Sequence, residues 1–330
     1  VKKLKIGVLS KLRGNFQLQA KYIGTENIKD ETPAEVRHHQ EALREAGYEV
    51  ALIEWGPEFM KRLSEAKVDL IFNVSSLVEA AVLEEVELPY VGSNSFTIAA
   101  AADKSIAKKI WQHAGLPTSP FCVASTEEDC LPFKDNPPFP APWFIKPIAG
   151  RGSAGVDADS VVSCYDELVE GVMKRARKIG QPVLIERFLQ GREITLGIIG
   201  NGGMARVLPP LEITYKIGDV TLSFEKKKLE DDADLFTCPA NLTGQELTSL
   251  RKLALDAYYH LQFRDFGRID TIVTKNGAFL LEGNTFAGLR CTPPERPRSF
   301  IGFMARAEEM SGAQLLDEII TSAAKRYNLI

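Results

Sequence analysis

The stretch Arg268-Ile-Asp270-Thr-Ile-Val-Thr-Lys-Asn-Gly277-Ala-Phe-Leu-Leu-Glu282-Gly-Asn284 sets hard oxygen donors among apolar strand residues, a pattern suited to a magnesium ion. If residues 275–277 form a three-residue hairpin turn, Asp270 faces Glu282, Arg268 faces Asn284, and all four side chains share one face. A two-residue turn at Asn276-Gly277 would instead set Glu282 against Thr271 and put the two carboxylates on different faces. The metal reading therefore requires the odd-length turn. Adjacent carboxylates repel unless a cation lies between them, and that cation is either a divalent ion or Arg268 in a purely structural cluster.

Upstream, Phe144-Ile-Lys146-Pro-Ile-Ala-Gly150-Arg-Gly152-Ser153-Ala-Gly155 reads as a strand feeding a glycine-rich loop. Backbone amides there can turn toward one anion, Ser153 adds a hydroxyl and Lys146 a point charge. The loop lacks the Gly-Lys-Ser/Thr ending of a P-loop, and no GxGxxG opens a dinucleotide-binding helix. On the residues alone it is either a phosphate cover or a mobile hairpin. Val183-Leu-Ile-Glu186-Arg187-Phe188-Leu189-Gln-Gly191-Arg-Glu193 sets two acids seven apart; Glu186 could accept from a base amino group or a ribose hydroxyl, or belong to an ordinary strand rim.

The chain has 330 residues, enough for two or three domains. Its formal charge of -4 supplies no overall basic field, which argues against a nucleic-acid partner. Five scattered cysteines without CxxC spacing indicate neither a zinc site nor a disulfide framework, and with no signal-peptide pattern and no long apolar run the expected setting is the cytoplasm, away from the membrane. His38, His39, His113 and His260 form no ligand cluster and read as structural or surface residues.

The elements that must position these groups follow from periodicity. Residues 4–9, 49–53, 68–72 and 88–91 read as strands and 33–46 and 59–66 as helices, giving an α/β domain over 1–95 with a mostly parallel sheet. A single helix is expected over 97–114, a strand at 121–124, a proline-rich surface loop over 131–142 and a strand at 143–146. Then come a helix at 165–178, strands at 183–187, 193–199 and 206–213, a charged loop at 221–234 and a helix at 244–261. The acidic hairpin, an irregular proline-rich segment and a terminal helix at 313–327 complete the chain.

Together these segments resemble the ATP-grasp superfamily, and most closely its D-alanine-D-alanine ligase branch. The resemblance runs from Leu88-Pro-Tyr-Val-Gly92 through Asp103-Lys104, Ala114-Gly-Leu-Pro117, Lys146-Pro, Gly152-Ser-Ala-Gly155, Glu186, Gly191-Arg-Glu193 and Arg268-Ile-Asp270 to Glu282-Gly-Asn284-Thr, and so covers most of the chain. It implies an α/β, three-domain ATP-grasp architecture: an N-terminal domain over 1–95, a central lobe over 96–190 and a C-terminal lobe over 191–330, with nucleotide between the two α+β lobes. It further implies that Lys104 and Lys146 contact ATP phosphates, that Ser153 belongs to the mobile phosphate cover, that Glu186 lies beside adenine, that backbone groups of Arg187 to Leu189 read the base edge, and that Glu193 holds the ribose. Phe224-Glu-Lys-Lys227-Lys228-Leu looks like the family's Tyr-Glu-Ala-Lys-Tyr-Leu segment, making Lys227 the match for its phosphate lysine. Asp270, Glu282 and Asn284 match the magnesium ligands, for two ions with manganese as a substitute, and Arg268 matches the transition-state arginine.

The implied activity is ATP-dependent ligation of a small carboxylate to an amine, both expected to be amino acids, through an acyl phosphate. Alternatives are a ligase for another amino-acid or peptide pair and a nucleotide-binding regulator without catalysis. A homodimer is compatible with the sequence. Departures fall in the amino-acid subsites. Ser10-Lys-Leu-Arg13-Gly14-Asn15 lacks the glutamate that holds the first ammonium, and Asn73-Val-Ser-Ser-Leu-Val-Glu79 replaces a His-Gly-x-x-Gly-Glu-Asp-Gly loop with Glu79 as its one acidic remnant. Lys228 replaces a tyrosine, and Thr285-Phe-Ala-Gly288-Leu-Arg290 replaces Thr-x-Pro-Gly, leaving Arg290 as a candidate carboxylate fork.

Overall fold

The computed structural model describes residues 4–11, 33–150, 155–214, 236–292 and 299–330. Its first sheet is parallel throughout, in the order β2-β1-β3, from β1 (Lys5–Ser10), β2 (Glu49–Glu54) and β3 (Leu70–Phe72). Helix Pro33–Glu45 supplies the crossover from β1 to β2 and buries Val36, Ala42 and Leu43. The strand expected over 88–91 is reduced to one bridge between Ile71 and Tyr90. Pro89 has no amide to donate, and Gly92 at φ +103° turns the chain away from the sheet edge.

The helix expected over 97–114 is two helices, Ser95–Ala102 and Lys104–His113. Asp103, at φ -92° and ψ 106°, breaks the continuity; its carboxylate accepts from the amides of Ser105 and Ile106 and starts the second helix. Lys104 thereby becomes a first-turn residue, its own amide bonded to the Ile148 carbonyl at 2.9 Å.

A second, antiparallel sheet has the order β4-β7-β5-β6, from β4 (Phe121–Ala124), β5 (Trp143–Pro147), β6 (Val161–Val162) and β7 (Val183–Arg187). Helix Tyr165–Ile179 packs on it. The proline-rich run 131–142 is not only a surface loop, because it drives Phe133 and Phe139 into the core, where Phe133 meets Phe139 and Trp143 edge-on at 5.3 Å each. Prolines fix the path of that backbone while the aromatic rings between them are buried.

The third sheet runs β11-β10-β8-β12-β13, with β9 also paired to β8, from β8 (Arg192–Ile199), β9 (Arg206–Val207), β10 (Leu211–Ile213), β11 (Phe236–Thr237), β12 (Phe266–Thr274) and β13 (Gly277–Asn284). The continuous strand expected over 206–213 splits at Pro209-Pro210, which cannot donate to a ladder. Among the described residues three α-helices are not anticipated by the sequence: Leu77–Glu85, started by a Ser76/Glu79 capping box, the short Glu127–Cys130, started by a Thr126/Asp129 capping box, and Phe300–Ala307, capped by Ser299. Helix Gly312–Arg326 closes the fold, and no helix among the described residues is long and apolar enough to cross a membrane.

One buried acid ties distant segments together. Asp265, at φ +63° and fully buried, accepts from the Gly92 amide at 2.8 Å, Asn201 Nδ2 at 2.7 Å and Arg326 Nη2 at 2.6 Å. Arg326 also donates to the Tyr90 carbonyl at 2.8 Å. Removing one member of a buried ion pair typically costs about 3–5 kcal/mol, because its partner stays desolvated and uncompensated. Asp265→Ala should therefore lower the urea midpoint of unfolding by a corresponding amount, and a midpoint equal to the parent's would show that Asp265 does not hold these segments.

Candidate active site

The acidic hairpin reaches its expected register by an unexpected route. Its turn is the two-residue Lys275-Asn276, with Thr274 paired to Gly277, instead of the three residues 275–277. Gly277 opens β13 at φ +116°, so the glycine that marks the turn lies just after it. Carried along unbroken, this register would set Asp270 against Leu281. A bulge intervenes: Thr271 pairs with Leu280 but Asp270 pairs with Glu282, leaving Leu281 as the extra residue. The shift restores Arg268 opposite Asn284 and Asp270 opposite Glu282. Leu280 is clamped beside the bulge, its amide donating to the Pro117 carbonyl at 2.8 Å and its carbonyl accepting from Thr118 Oγ1 at 2.8 Å.

Arg268 forms a two-point bond with Asp270, Nε to Oδ1 at 2.7 Å and Nη2 to Oδ2 at 2.8 Å, and lies 4.9 Å over the Phe300 ring. Thr195 Oγ1 donates to Asp270, and Asn284 Nδ2 donates to Asp270 Oδ2 at 3.0 Å and lies 3.4 Å from Glu282 Oε1. Desolvation works against the Arg268 guanidinium, but Asp270 outweighs it and holds its pKa above the ordinary arginine value. Lys104 completes this side, with Nζ 3.5 Å from Glu282 Oε2 and 3.2 Å from the Gly150 carbonyl it donates to.

Next to this group, Glu186 lies between two ammonium groups. Lys108 Nζ is 2.6 Å from Oε1 and Lys146 Nζ is 2.6 Å from Oε2, while Ser119 Oγ donates to Oε1 at 2.8 Å. Burial pushes the Glu186 carboxyl up, yet the two lysines outweigh it and bring it from 4.5 down to about 2. Burial also dominates at Lys108 and lowers its pKa; at Lys146 burial opposes the charge, but Glu186 and then Glu282 prevail and raise it.

Thus Lys104, Lys146, Glu186, Arg268, Asp270, Glu282 and Asn284 converge, and the field of Glu193 acts on both Lys146 and Arg268. Arg187 and Leu189 sit at the end of β7 beyond Glu186; the amides of Arg187 and Phe188 bond to the carbonyls of Pro120 and Pro142. Both oxygens of Glu186 are engaged by lysines, which makes it an anchor for cations more than an open acceptor for a base. Lys108 is the residue that sequence reasoning missed; its signal was its place one turn after Lys104 on a helix whose other inward residues are Ser105, Ala107 and Trp111. Ser153, Lys227 and Lys228 lie outside the described residues.

Glu79 and Arg290, the candidate amino-acid residues, each make contacts within the protein. Glu79 is fully buried and serves the Leu77–Glu85 cap, its Oε2 accepting from the amides of Ser75 at 2.7 Å and Ser76 at 3.0 Å, with Lys11 Nζ 3.7 Å from Oε1. Arg290 Nε reaches Thr292 Oγ1 at 3.4 Å, and its charge bears on His38 and His39. His38 and His39 are buried structural residues, as expected; His38 Nε2 accepts from the Cys291 amide at 3.3 Å. All five cysteines are free.

The donors on β12 and β13 fit a hard divalent cation. Asp270 and Glu282 offer carboxylate oxygens from paired positions, and an amide rotation at Asn284 exchanges its NH2 for its oxygen. A parallel sheet followed by two antiparallel sheets, with cations and acids converging from both antiparallel sheets, fits the ATP-grasp fold.

Comparison with known proteins narrows the class. The family described as D-ala D-ala ligase C-terminus matches residues 110–321. The D-alanine–D-alanine ligase of Bordetella petrii is 31% identical over 294 residues, covering 87% of this chain and 85% of that protein, and that of Methylacidiphilum infernorum is 28% identical over 293 residues, covering 87% and 89%. Among solved structures, the ATP complex of the Bacillus anthracis D-alanine–D-alanine ligase has a TM-score of 0.72 at 20% identity, covering 99% of each chain. The chain belongs to the D-alanine–D-alanine ligase family, whose members are ATP-dependent carbon-nitrogen ligases.

The depressed Glu186 pKa carries a sign. Its stabilising contribution is fully present above about 4.5, the ordinary value, and is lost as pH falls toward about 2. Denaturant midpoints followed from neutral pH to acid should fall through that window in the parent protein and fall less steeply in Glu186→Gln; parallel curves would remove the assigned ion pairs.

Proposed function

We propose that this chain joins two amino acids in an ATP-dependent reaction, with D-alanine as the first substrate to test for both positions. The observation that supports this best is the set of oxygen donors at Asp270, Glu282 and Asn284, facing Lys104 and bordered by the Lys108/Lys146/Glu186 cluster. In such a reaction a substrate carboxylate takes the γ-phosphoryl group of ATP, giving an acyl phosphate and ADP; an amine then attacks the acyl carbon and phosphate leaves. Lys104 and Lys146 bind phosphate oxygens as point charges, and Lys227 and Ser153 are assigned the same task on the phosphate cover. Backbone groups from Arg187 to Leu189 orient the base, and Glu193 holds the ribose. Arg268, buttressed by Phe300, stabilises charge on the transferring group and on the acyl oxygen.

Asp270, Glu282 and Asn284 would hold magnesium, one ion or two, with manganese as a substitute. When bound, the metal supplies neutralisation of phosphate oxygens. The acids transfer no proton. A cytoplasmic location suits ATP use and five free cysteines.

A second reading, ligation of a different amino-acid pair, draws on the substrate side. Glu79 is engaged in a helix cap and Arg290 is turned toward Thr292, so the groups that would select the amino acids differ from the family pattern. Incubation with ATP, magnesium and a panel of carboxylates and amines, with products identified by mass, distinguishes the readings. D-alanyl-D-alanine with ADP supports the first, a mixed amide supports the second, and ATP binding without product across the panel overturns ligation in favour of a regulator. Asp270→Asn should lower metal-dependent turnover by about two orders of magnitude or more, as loss of a principal electrostatic group does at such centres. Equal turnover at limiting magnesium would remove Asp270 from the metal site.

A further inference from the structure

Lys108 is fully buried and reaches no surface from which it could touch a nucleotide. Its ammonium has three protons and no acceptor capacity, and it has three acceptors: Glu186 Oε1 at 2.6 Å, Thr118 Oγ1 at 2.5 Å and Ser119 Oγ at 3.1 Å. Because Lys108 can only donate, both hydroxyls must accept from it, and the single proton of each is directed outward. Ser119 sends its proton to Glu186 Oε1, and Thr118 sends its own to the Leu280 carbonyl, at 2.8 Å each. The first path fixes the carboxylate whose other oxygen holds Lys146. The second fixes the residue beside the bulge that brings Glu282 opposite Asp270.

Stability alone does not explain this residue. A Lys146–Glu186 pair would be neutral by itself, whereas Lys108 adds a second buried cation to one carboxylate, and its desolvation is unfavourable. We propose that Lys108 is a positioning residue that sets the nucleotide lysine Lys146 through Glu186 and steadies the acidic hairpin through Thr118 and Leu280. This role rests on the ATP-dependent ligase reading above. It makes the phosphate-binding charge and the acidic pair parts of one hydrogen-bonded assembly, though they stand on different sheets.

The test compares the parent with Lys108→Met, which keeps chain length and removes the charge, and with Lys109→Met, an exposed neighbour. ATP affinity is measured by calorimetry with ATP and magnesium in the absence of amino acids, and KM values are measured separately for ATP and for the amino-acid substrates. Misplacing a binding group by a fraction of an ångström to an ångström carries losses of about ten- to a hundredfold. Lys108→Met should weaken ATP binding and raise KM for ATP by about tenfold or more, with KM for the amino acids changed by less than about twofold. The double variant Lys108→Met/Glu186→Gln should bind ATP no more weakly than the worse single variant.

ATP affinity equal to the parent's in folded Lys108→Met, or equal losses for ATP and amino acids, would overturn the positioning role. If Lys108→Met does not fold, Ser119→Ala takes its place, with severalfold weaker ATP binding expected and unchanged affinity counting against the proposal. A parent protein that does not bind ATP would instead overturn the ligase reading itself, so the two failures are distinct.

Discussion

Among the described residues, each cation proposed to meet the nucleotide has a carboxylate partner within the protein. Arg268 is held on Asp270, Lys104 on Glu282, and Lys146 with Lys108 on Glu186, while Glu193 adds a fourth acid within reach of Lys146 and Arg268. Four cations thus stand against four carboxylates. Neither set could be concentrated in so small and so buried a volume without the other, because unpaired charge of either sign is expelled from low dielectric or neutralised by a proton shift. Under the proposed ligase reading, ligand binding at such a site would be an exchange of partners, phosphate oxygens taking the lysines and a divalent cation the carboxylates. Since about as much negative charge would arrive with a triphosphate as two magnesium ions would bring in positive charge, the exchange would preserve overall balance.

Such an exchange would need fixed backbone positions, and the groups stand on strands and a helix start. Lys146 is on β5 and Glu186 on β7, adjacent antiparallel strands. Arg268 and Asp270 are on β12, with Glu282 and Asn284 across the ladder. The two sheets meet through the segment Pro117–Thr118, which bonds both sides of Leu280 next to the β13 bulge. A bulge in a free hairpin could migrate by small register shifts; here both backbone groups of Leu280 are already committed, and the position of the extra residue is fixed.

Much of this was legible in the sequence because its signals were local. Strand β7 matches its expected bounds, the β1 to β3 alternation with helices is plain in apolar periodicity, and Asp270 pairs with Glu282 as expected, although not through the expected three-residue turn. The mechanism of that pairing was not legible. Lys275-Asn276 takes the turn although Asn276-Gly277 is the stronger local signal, and the compensating bulge is held by Pro117 and Thr118, more than 150 residues away in sequence. The break at Asp103 was hidden because residues on both sides favour helix, and only the cap bonds to Ser105 and Ile106 reveal it. Lys108 was hidden for a related reason. A lysine in a helix with other lysines reads as a solvated face, and its burial is visible only once Glu186, Thr118 and Ser119 arrive from other elements.

The uneven departure from the family pattern also has a physical basis. Lys104, Lys146, Arg268 and the acids they pair with are mutually compensated, so changing one leaves a charge without its partner and destabilises its neighbours. Glu79 and Arg290 belong to none of these pairings. Glu79 satisfies backbone amides at a helix start, and Arg290 leans on Thr292. Those positions can carry structural work without disturbing the four cation-carboxylate pairings.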